Sequence, residues 1–354
     1  MAVEWKTVFM TVAVVCLCFV GIPIRVDKPI DTATQALFKD YVKRFNKTYE
    51  NNETEYALRL RQFQESLETI QKLNSERKSE ASAHYGLTKF SDMSPNEFLH
   101  HHLYVGLQSH LMKCNHWRNR THHSHERKER AIKPVSLPER VDWREKNVIG
   151  KIRNQKTCGA CWAFSTVETA EAMYALKTGV LEEFSVQEMI DCAQNGNIGC
   201  AGGDTCSLLE WIVAKNISIE LEKQYPLTLE TQTCKLKGSG NGVHIAPNFT
   251  CDYLVGNEEE ILLMLANHGP VIVAINALNW QNYLGGIIQF HCDGSPVHIN
   301  HAVQIVGYDK SSAVPHYILR NSWGPDFGDK GYLYIAIGEN LCGLATEVSS
   351  LDVL

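Results

Sequence analysis

Twelve cysteines punctuate a chain of 354 residues, and where they fall limits what it can become. Two of them, Cys16 and Cys18, lie in an apolar run from Val8 to Val20 that follows the basic residue Lys6. At 13 residues this run is too short to span a bilayer. It fits the hydrophobic part of a signal peptide over 1–21, although an uncleaved anchor reads similarly. Entry by the secretory route means an oxidising compartment, so the ten cysteines left (12 − 2) are read first as disulfides. Five Asn-x-Ser/Thr sites, at Asn46, Asn52, Asn119, Asn216 and Asn248, suit the same route as candidate glycosylation positions. No other run reaches 18 apolar residues, so no membrane association is expected once the signal is removed. A formal charge of −6 gives no reason to expect nucleic acid as a partner.

Texture divides the chain further. Phe38, Val42, Phe45 and Tyr49 recur at helical spacing, as do Tyr56, Leu60, Phe63, Leu67 and Ile70, so two amphipathic helices are expected after the signal. From Lys113 to Lys133 there are seven Lys or Arg against two Glu, with His116, His122, His123 and His125 interleaved. Such a segment cannot bury a core and reads as an exposed, protease-accessible linker. Protonation of its histidines below about pH 6 adds to its self-repulsion and is expected to loosen the junction near Leu137 in acid. After Leu137-Pro138 the chain becomes densely apolar. Trp162–Leu176 reads as a helix with Ala163, Val167, Ala170 and Tyr174 on one face. Beyond Gly269, Val271–Ile275, Ala302–Tyr308, His316–Arg320 and Tyr332–Ile337 read as strands. A helical half preceding a sheet half implies an α+β arrangement with room for a cleft between two lobes.

Chemistry concentrates at Gln155-Lys-Thr-Cys158-Gly-Ala-Cys161-Trp162, where the second thiol opens the predicted helix. There the positive end of the helix dipole favours thiolate. Cys158-x-x-Cys161 is also the spacing of redox and zinc pairs, but no second Cys pair or βαβ pattern accompanies it. A thiol nucleophile needs a base, a group that orients the base, and donors for an oxyanion. Asn300-His301-Ala302-Val303 opens one strand and Asn321-Ser322-Trp323-Gly324 follows the next, so a base and its orienting amide could meet at adjoining strand ends. The Cys161 N–H and the Gln155 amide could supply the donors. Taken singly, a His in a strand is usually structural and an Asn-Ser pair is usually a turn.

Together these residues resemble the papain-like cysteine proteases, whose Cys-Gly-[Ser/Ala]-Cys-[Trp/Tyr] signature is matched by Cys158–Trp162. His301 lies 140 residues beyond Cys161, inside the interval of roughly 130–150 for the family, and Asn321 lies 160 beyond. A modest insertion such as Asp309–Pro315 accounts for the excess. In the amino-terminal part Glu55, Arg59, Phe63, Ile70 and Asn74 match the family's pro-helix, with Ser66 where the pattern has Asn. Gly86, Phe90 and Asp92 match a second pro-motif in which Thr88 replaces Asn.

The resemblance implies a two-lobed papain-like fold, a helical lobe and an antiparallel β-barrel-like lobe with the cleft between, preceded by a helical inhibitory propeptide over 22–136 and followed by a peptidase domain over 137–354. It implies that Gln155 serves the oxyanion hole, Cys161 and His301 form the reacting pair, Asn321 orients His301, and Trp323 shields that hydrogen bond. Gly202 and Gly203 would line the substrate strand, and Ala274, Asn300, Ala302 and Glu347 the pocket for the second residue on the acyl side of the scissile bond. Their other reading is a simple turn for the glycines and a solvent-facing carboxylate for Glu347. Disulfides Cys158–Cys200, Cys192–Cys234 and Cys292–Cys342 follow from the family pattern. Cys206–Cys251 is left by elimination, with Cys114 in the amino-terminal part. No cofactor and no metal are implied. Expected partners are peptide and protein substrates, the chain's own propeptide and cystatin-type inhibitors, with the enzyme a lysosomal or secreted monomer. Two other classes share the sequence features: a catalytically inactive homologue, or a released propeptide that inhibits other proteases. The histidines at 100–102 and before Lys133 could also suit a metal, though solvated polar segments explain them as well.

Overall fold

The computed structural model describes residues 29–103, 137–236 and 242–354. The signal-like run 1–21, the basic segment 113–133, Cys114 and Asn119 lie outside them. Two compact units are present, one ending at Glu50 and one spanning Asn51–Leu354. In the first, helix α1 (Thr32–Arg44) starts where Asp31 accepts a hydrogen bond from the Thr34 N–H at 2.6 Å. Its buried stripe is Phe38, Tyr41 and Val42, and the Phe38 ring stacks on Tyr41 and Tyr49.

The second unit opens with α2 (Glu53–Ser75), capped by Asn52, then strand β1 (His84–Tyr85) and α3 (Pro95–His102). Arg59 on α2 bonds Glu55 one turn back, Glu97 Oε2 at 2.6 Å and the Asp92 carbonyl at 3.1 Å, which ties α2 to α3. The Asn74 amide brackets Tyr85, donating to its carbonyl at 2.8 Å and accepting from its N–H at 3.0 Å. There follow β2 (Arg140–Asp142), α4 (Cys161–Thr178), α5 (Val186–Cys192), α6 (Thr205–Ala214), β3 (Ser218–Ile219), β4 (Val243–His244), β5 (Thr250–Asp252), α7 (Glu258–Asn267), β6 (Val271–Ile275), β7 (Tyr283–Gly285), β8 (Ile287–Ile288), β9 (His301–Asp309), β10 (His316–Arg320), β11 (Tyr332–Ala336) and β12 (Glu347–Ser350). Among the described residues no helix is long and apolar enough to cross a membrane.

The strands order as β5-β12-β6-β9-β10-β11-β8, with β2 also on β9. This fits the mixed helix and sheet fold expected, but the barrel-like closure is not made. β5 and β8 are sheet edges, and the two-residue β8 runs parallel to β11 instead of closing an antiparallel ladder. β9 and β10 form a hairpin whose tip is the segment 310–315. Extra residues there lengthen the tip without moving the strand roots that carry His301 and Asn321. One hydrophobic core lies on the sheet and includes Tyr85, Phe90 and Phe98 of the amino-terminal part. A second surrounds α4 with α5, α6 and the β3-β4 pair.

Helix α4 departs from the one-sided pattern expected of it. Every residue from Cys161 to Met173 is buried, since α4 has the sheet on one side and α5 and α6 on others. Its polar groups are therefore satisfied internally. Ser165, Thr166 and Thr169 donate to carbonyls four residues back. Glu171 pairs with Arg153 at 2.7 Å, and Glu168 with Arg320 at 3.4 Å, all four side chains being buried. Removing one partner of a buried pair strands a charge. Arg153→Met should therefore lower the unfolding free energy of the intact chain by about 3–5 kcal/mol, read from denaturant midpoints. The double variant Arg153→Met/Glu171→Leu should recover most of that loss.

Candidate active site

Cys161 is the first residue of α4, and the loop leading to it is pinned twice. Cys158 is joined to Cys200, and the Gly159 N–H donates to the Cys200 carbonyl at 2.8 Å. A side chain at 159 would meet that carbonyl at 2.8 Å, so the close approach requires glycine. Cys161 is a free, buried thiol, and the Ala302 N–H at the start of β9 lies against its sulfur. The neighbouring His301 is likewise fully buried. Its Nε2–H donates to Asn321 Oδ1 at 2.8 Å, an arrangement that leaves Nδ1 without a hydrogen-bond partner. Asn321 is placed by β10, whose last residue, Arg320, lies opposite Gln304 of β9. The ring of Trp323 covers His301 at 4.8 Å between centroids, and Trp280 closes the edge at 6.0 Å from both.

Gln155 sits between Cys158 and the strand-end residues. Its Nε2 donates to the Cys158 carbonyl at 3.0 Å, Ser322 Oγ donates to its Oε1 at 2.5 Å, and its N–H donates to the Ser322 carbonyl at 2.8 Å. An amide nitrogen carries two hydrogens, so one donor remains. Gly202 has a φ of +121°, open only to glycine, and its N–H and carbonyl both bond within the turn 198–202. At Gly203 a Cβ would lie 2.6 Å from the Trp162 ring. Ala274, Ala302 and Glu347 stand in one row, since β12 pairs Glu347 with Ala274 and β6 pairs Ala274 with Ala302. Neighbouring strands are about 4.8 Å apart, which puts Glu347 about 10 Å along the sheet from Ala302. Asn300 flanks the row, but its amide is turned inward, with Oδ1 accepting from the Ala277 N–H and Nδ2 donating to Asn276.

The remaining cysteines among the described residues are paired as Cys192–Cys234, Cys206–Cys251 and Cys292–Cys342. Asn46, Asn52, Asn216 and Asn248 are exposed. Among the described residues no three His, Cys, Asp or Glu side chains gather to hold a metal. Several site residues escaped the sequence reading. Ser322 belongs to the Asn-Ser-Trp-Gly run and was legible there. Trp280, Thr205 and Asp204 carry no local signal beyond their neighbourhood in the fold.

The amino-terminal part closes over these groups. β1 pairs antiparallel with β7, the Gly86 N–H donates to the Asn282 carbonyl, and Thr88 Oγ1 donates to the Gln281 carbonyl at 2.6 Å. Phe90 and Phe98 set their ring edges against Trp323 at 5.7 and 5.4 Å, and Lys89 Nζ donates to the Trp323 carbonyl. His102 meets the Lys156 carbonyl at 2.9 Å. Burial in this covered state pushes the Cys161 thiol up to about 11. It pushes His301 down to about 4 against the opposing pull of Asn321, with the field of His102 acting in the same direction as burial.

The family described as Papain family cysteine protease matches residues 137–351, and the Cathepsin propeptide inhibitor domain (I29) matches 38–98. The chain is 41% identical to cathepsin O of Homo sapiens over 293 residues, 82% of this chain and 87% of that protein. It is 38% identical to cathepsin O of Mus musculus over 290 residues, 82% and 88% of the two chains. The solved structure of digestive procathepsin L 3 from Tenebrio molitor larval midgut is similar at a TM-score of 0.74 and 27% identity, covering 91% of this chain and 100% of that one.

A thiol raised to about 11 stays protonated through neutral pH, and an imidazole lowered to about 4 stays neutral down to that value. In the intact chain, alkylation of Cys161 by iodoacetamide should therefore be slow at pH 6–8 and rise about tenfold per pH unit as thiolate appears. A rate that is already high and flat across pH 5–8 in the intact chain would show that the covered pair is ionised.

Proposed function

Because this chain belongs to the papain family of cysteine proteases and is a zymogen carrying the family's propeptide, we propose that its 137–354 part, once released from 22–136, hydrolyses peptide bonds through a thioester on Cys161 in lysosomal protein breakdown. The observation that carries this reading is a free thiol at the first turn of a buried helix, met by the N–H of the residue that follows a histidine whose Nε2 is held by an asparagine. Departure of the amino-terminal part readmits water to both groups and removes the burial that keeps them neutral. His301 Nδ1 then takes the Cys161 proton, and the ion pair that results persists in acid, where an ordinary thiol of pKa near 8.5 would be inert.

The thiolate attacks the peptide carbonyl carbon. The oxyanion that forms is met by the Cys161 N–H and the remaining hydrogen of Gln155 Nε2. Collapse expels the amine, which receives its proton from His301, and leaves the thioester. Water, deprotonated by His301, then releases the acid and restores the thiol. Asn321 keeps the proton on Nε2 throughout, and Trp323 with Trp280 keeps water from that bond. Gly203 is the glycine left to pair with an extended substrate, since Gly202 is committed to its own turn. The pocket beside Ala274 and Ala302 ends at Glu347, so it should accept Arg, through a two-pronged hydrogen bond, as well as large apolar side chains. Peptides, the propeptide and cystatin-type inhibitors are the partners of this reading, and glycosylation at the exposed sequons fits a lysosomal or secreted destination.

The test is hydrolysis of a fluorogenic dipeptide after acid treatment, blocked by a thiol-directed epoxide. Cys161→Ala and His301→Ala should each abolish turnover, and Gln155→Ala should lower kcat by about a hundredfold to a thousandfold. Full turnover in Cys161→Ala would overturn the mechanism. Glu347→Ala should lose cleavage after Arg at the second acyl-side position while keeping cleavage after Phe. An unchanged Arg-to-Phe ratio in kcat/KM would remove Glu347 from the pocket.

A further inference from the structure

Glu347 does not stand alone at the end of its row. Its Oε1 accepts from Thr205 Oγ1 at 2.7 Å, while its Oε2 is buried without a hydrogen-bond partner. Against it lies Asp204, 3% exposed where Glu347 is 6%. Asp204 caps α6, its Oδ1 accepting from the Ser207 N–H at 2.6 Å, and its Oδ2 is likewise buried without a partner. Thr205, the residue after Asp204, is the one that bonds Glu347, and the Asp204 carboxyl is near enough for its field to act on Glu347. Two oxygens that can only accept repel each other, whereas one proton between them satisfies both. Among the described residues no cation acts on Glu347. β6 and β9 present Ala274 and Ala302, α6 presents Thr205 and the disulfide-bonded Cys206, and Asp204 is the charged group whose field acts on Glu347. Burial first, and then the charge of Asp204, push the Glu347 carboxyl up to about 8.

We propose that Asp204 and Glu347 hold one proton between them, and that Asp204 is a second specificity-determining residue which sets the pH at which the pocket accepts a cationic side chain. The inference rests on the reading of Glu347 as a pocket residue. In acid the proton stays, both free oxygens are satisfied, and the pocket favours apolar side chains. As pH rises the proton leaves, and an arginine guanidinium with its donors can take its place, so arginine binding releases one proton. Apolar substrates gain nothing from that exchange. Preference for arginine therefore grows with pH, through KM more than kcat.

The experiment compares kcat/KM for dipeptide substrates with Arg or Phe at the second acyl-side position, from pH 4.5 to 7.5, in the processed parent, Asp204→Asn and Glu347→Gln. Asparagine caps a helix as well as aspartate does, and its amide hydrogens can donate where Oδ2 stood. Asp204→Asn should therefore keep α6 and its melting temperature, favour the charged form of Glu347, and shift the rise in the Arg-to-Phe ratio about one pH unit toward acid. At pH 5 the variant should cleave the Arg substrate about tenfold better relative to Phe than the parent does, since one pH unit is tenfold in ionised fraction. Glu347→Gln should give a low ratio that is flat with pH. If Asp204→Asn leaves the pH of the rise unchanged, or weakens Arg cleavage equally at every pH, no proton is shared and the proposal falls. A parent-like ratio in Glu347→Gln would instead overturn the pocket reading on which it rests.

Discussion

Two carboxylates on the helix that begins at Cys161 hold the geometry of the whole site. Glu168 and Glu171 lie on a helix buried on nearly every side, where an unpaired charge would be untenable. Burial pushes Glu171 up to about 7 against the pull of Arg153, and it raises Glu168 against the pull of Arg320. Each is answered from a different segment. Arg153 lies two residues before Gln155, and Arg320 directly precedes Asn321. Gln304 of β9 donates to the Glu168 carbonyl and Thr169 Oγ1, and accepts from Arg320 Nη1. The same contacts that neutralise the helix therefore fix Gln155, the strand that opens at His301, and Asn321 relative to the thiol.

Inhibition in the covered state is a matter of solvent as much as of obstruction. The amino-terminal part adds a strand to β7 and drives Phe90 and Phe98 onto Trp323, which already screens His301. A thiolate and an imidazolium need either water or each other. With Nδ1 unpartnered and both groups buried, the neutral forms are favoured. The departures from the family's pro-motifs are tolerated for local reasons. Thr88 supplies from its hydroxyl a bond to the Gln281 carbonyl, and its own N–H is met by Ser91 Oγ. Ser66 is small enough to be buried on α2.

Strands were legible because short β-prone runs stand out between Gly, Pro, Asp and Ser: Val271–Ile275 and His316–Arg320 have the bounds expected of them. The helix at Cys161 was legible in position but not in character. Periodicity distinguishes one wet face from one dry face and says nothing when every face is dry. Closure of the sheet was not legible either, because β5 and β8 are too short for a pattern to say what they pair with. At the site, His301 and Asn321 stood out through motif and spacing, yet Trp280 did not, since only the turn between β6 and β7 brings it against His301 and Trp323. Asp204 is an ordinary helix cap in the structure. Only the register that carries Glu347 across to it gives its second oxygen a meaning.

That register is held covalently. Glu347 and Ser349 are two apart on β12 and so share a face, the one turned to α6. There the Ser349 hydroxyl lies 3.4 Å from the sulfur of Cys206 and 3.5 Å from that of Cys251, the two residues joined across α6 and β5. Asp204, Thr205 and Cys206 are consecutive, so the disulfide anchors the residue beside the two that meet Glu347. A bridge of this kind typically contributes about 2–4 kcal/mol to stability. Its larger consequence here is positional. α6 belongs to the helical core and β12 to the sheet, and a wall made from both keeps its shape only if the lobes cannot slide at that point. The Thr205–Glu347 hydrogen bond alone could be exchanged for water whenever the lobes parted. With Cys206 fixed to the strand edge, it is remade in the same place.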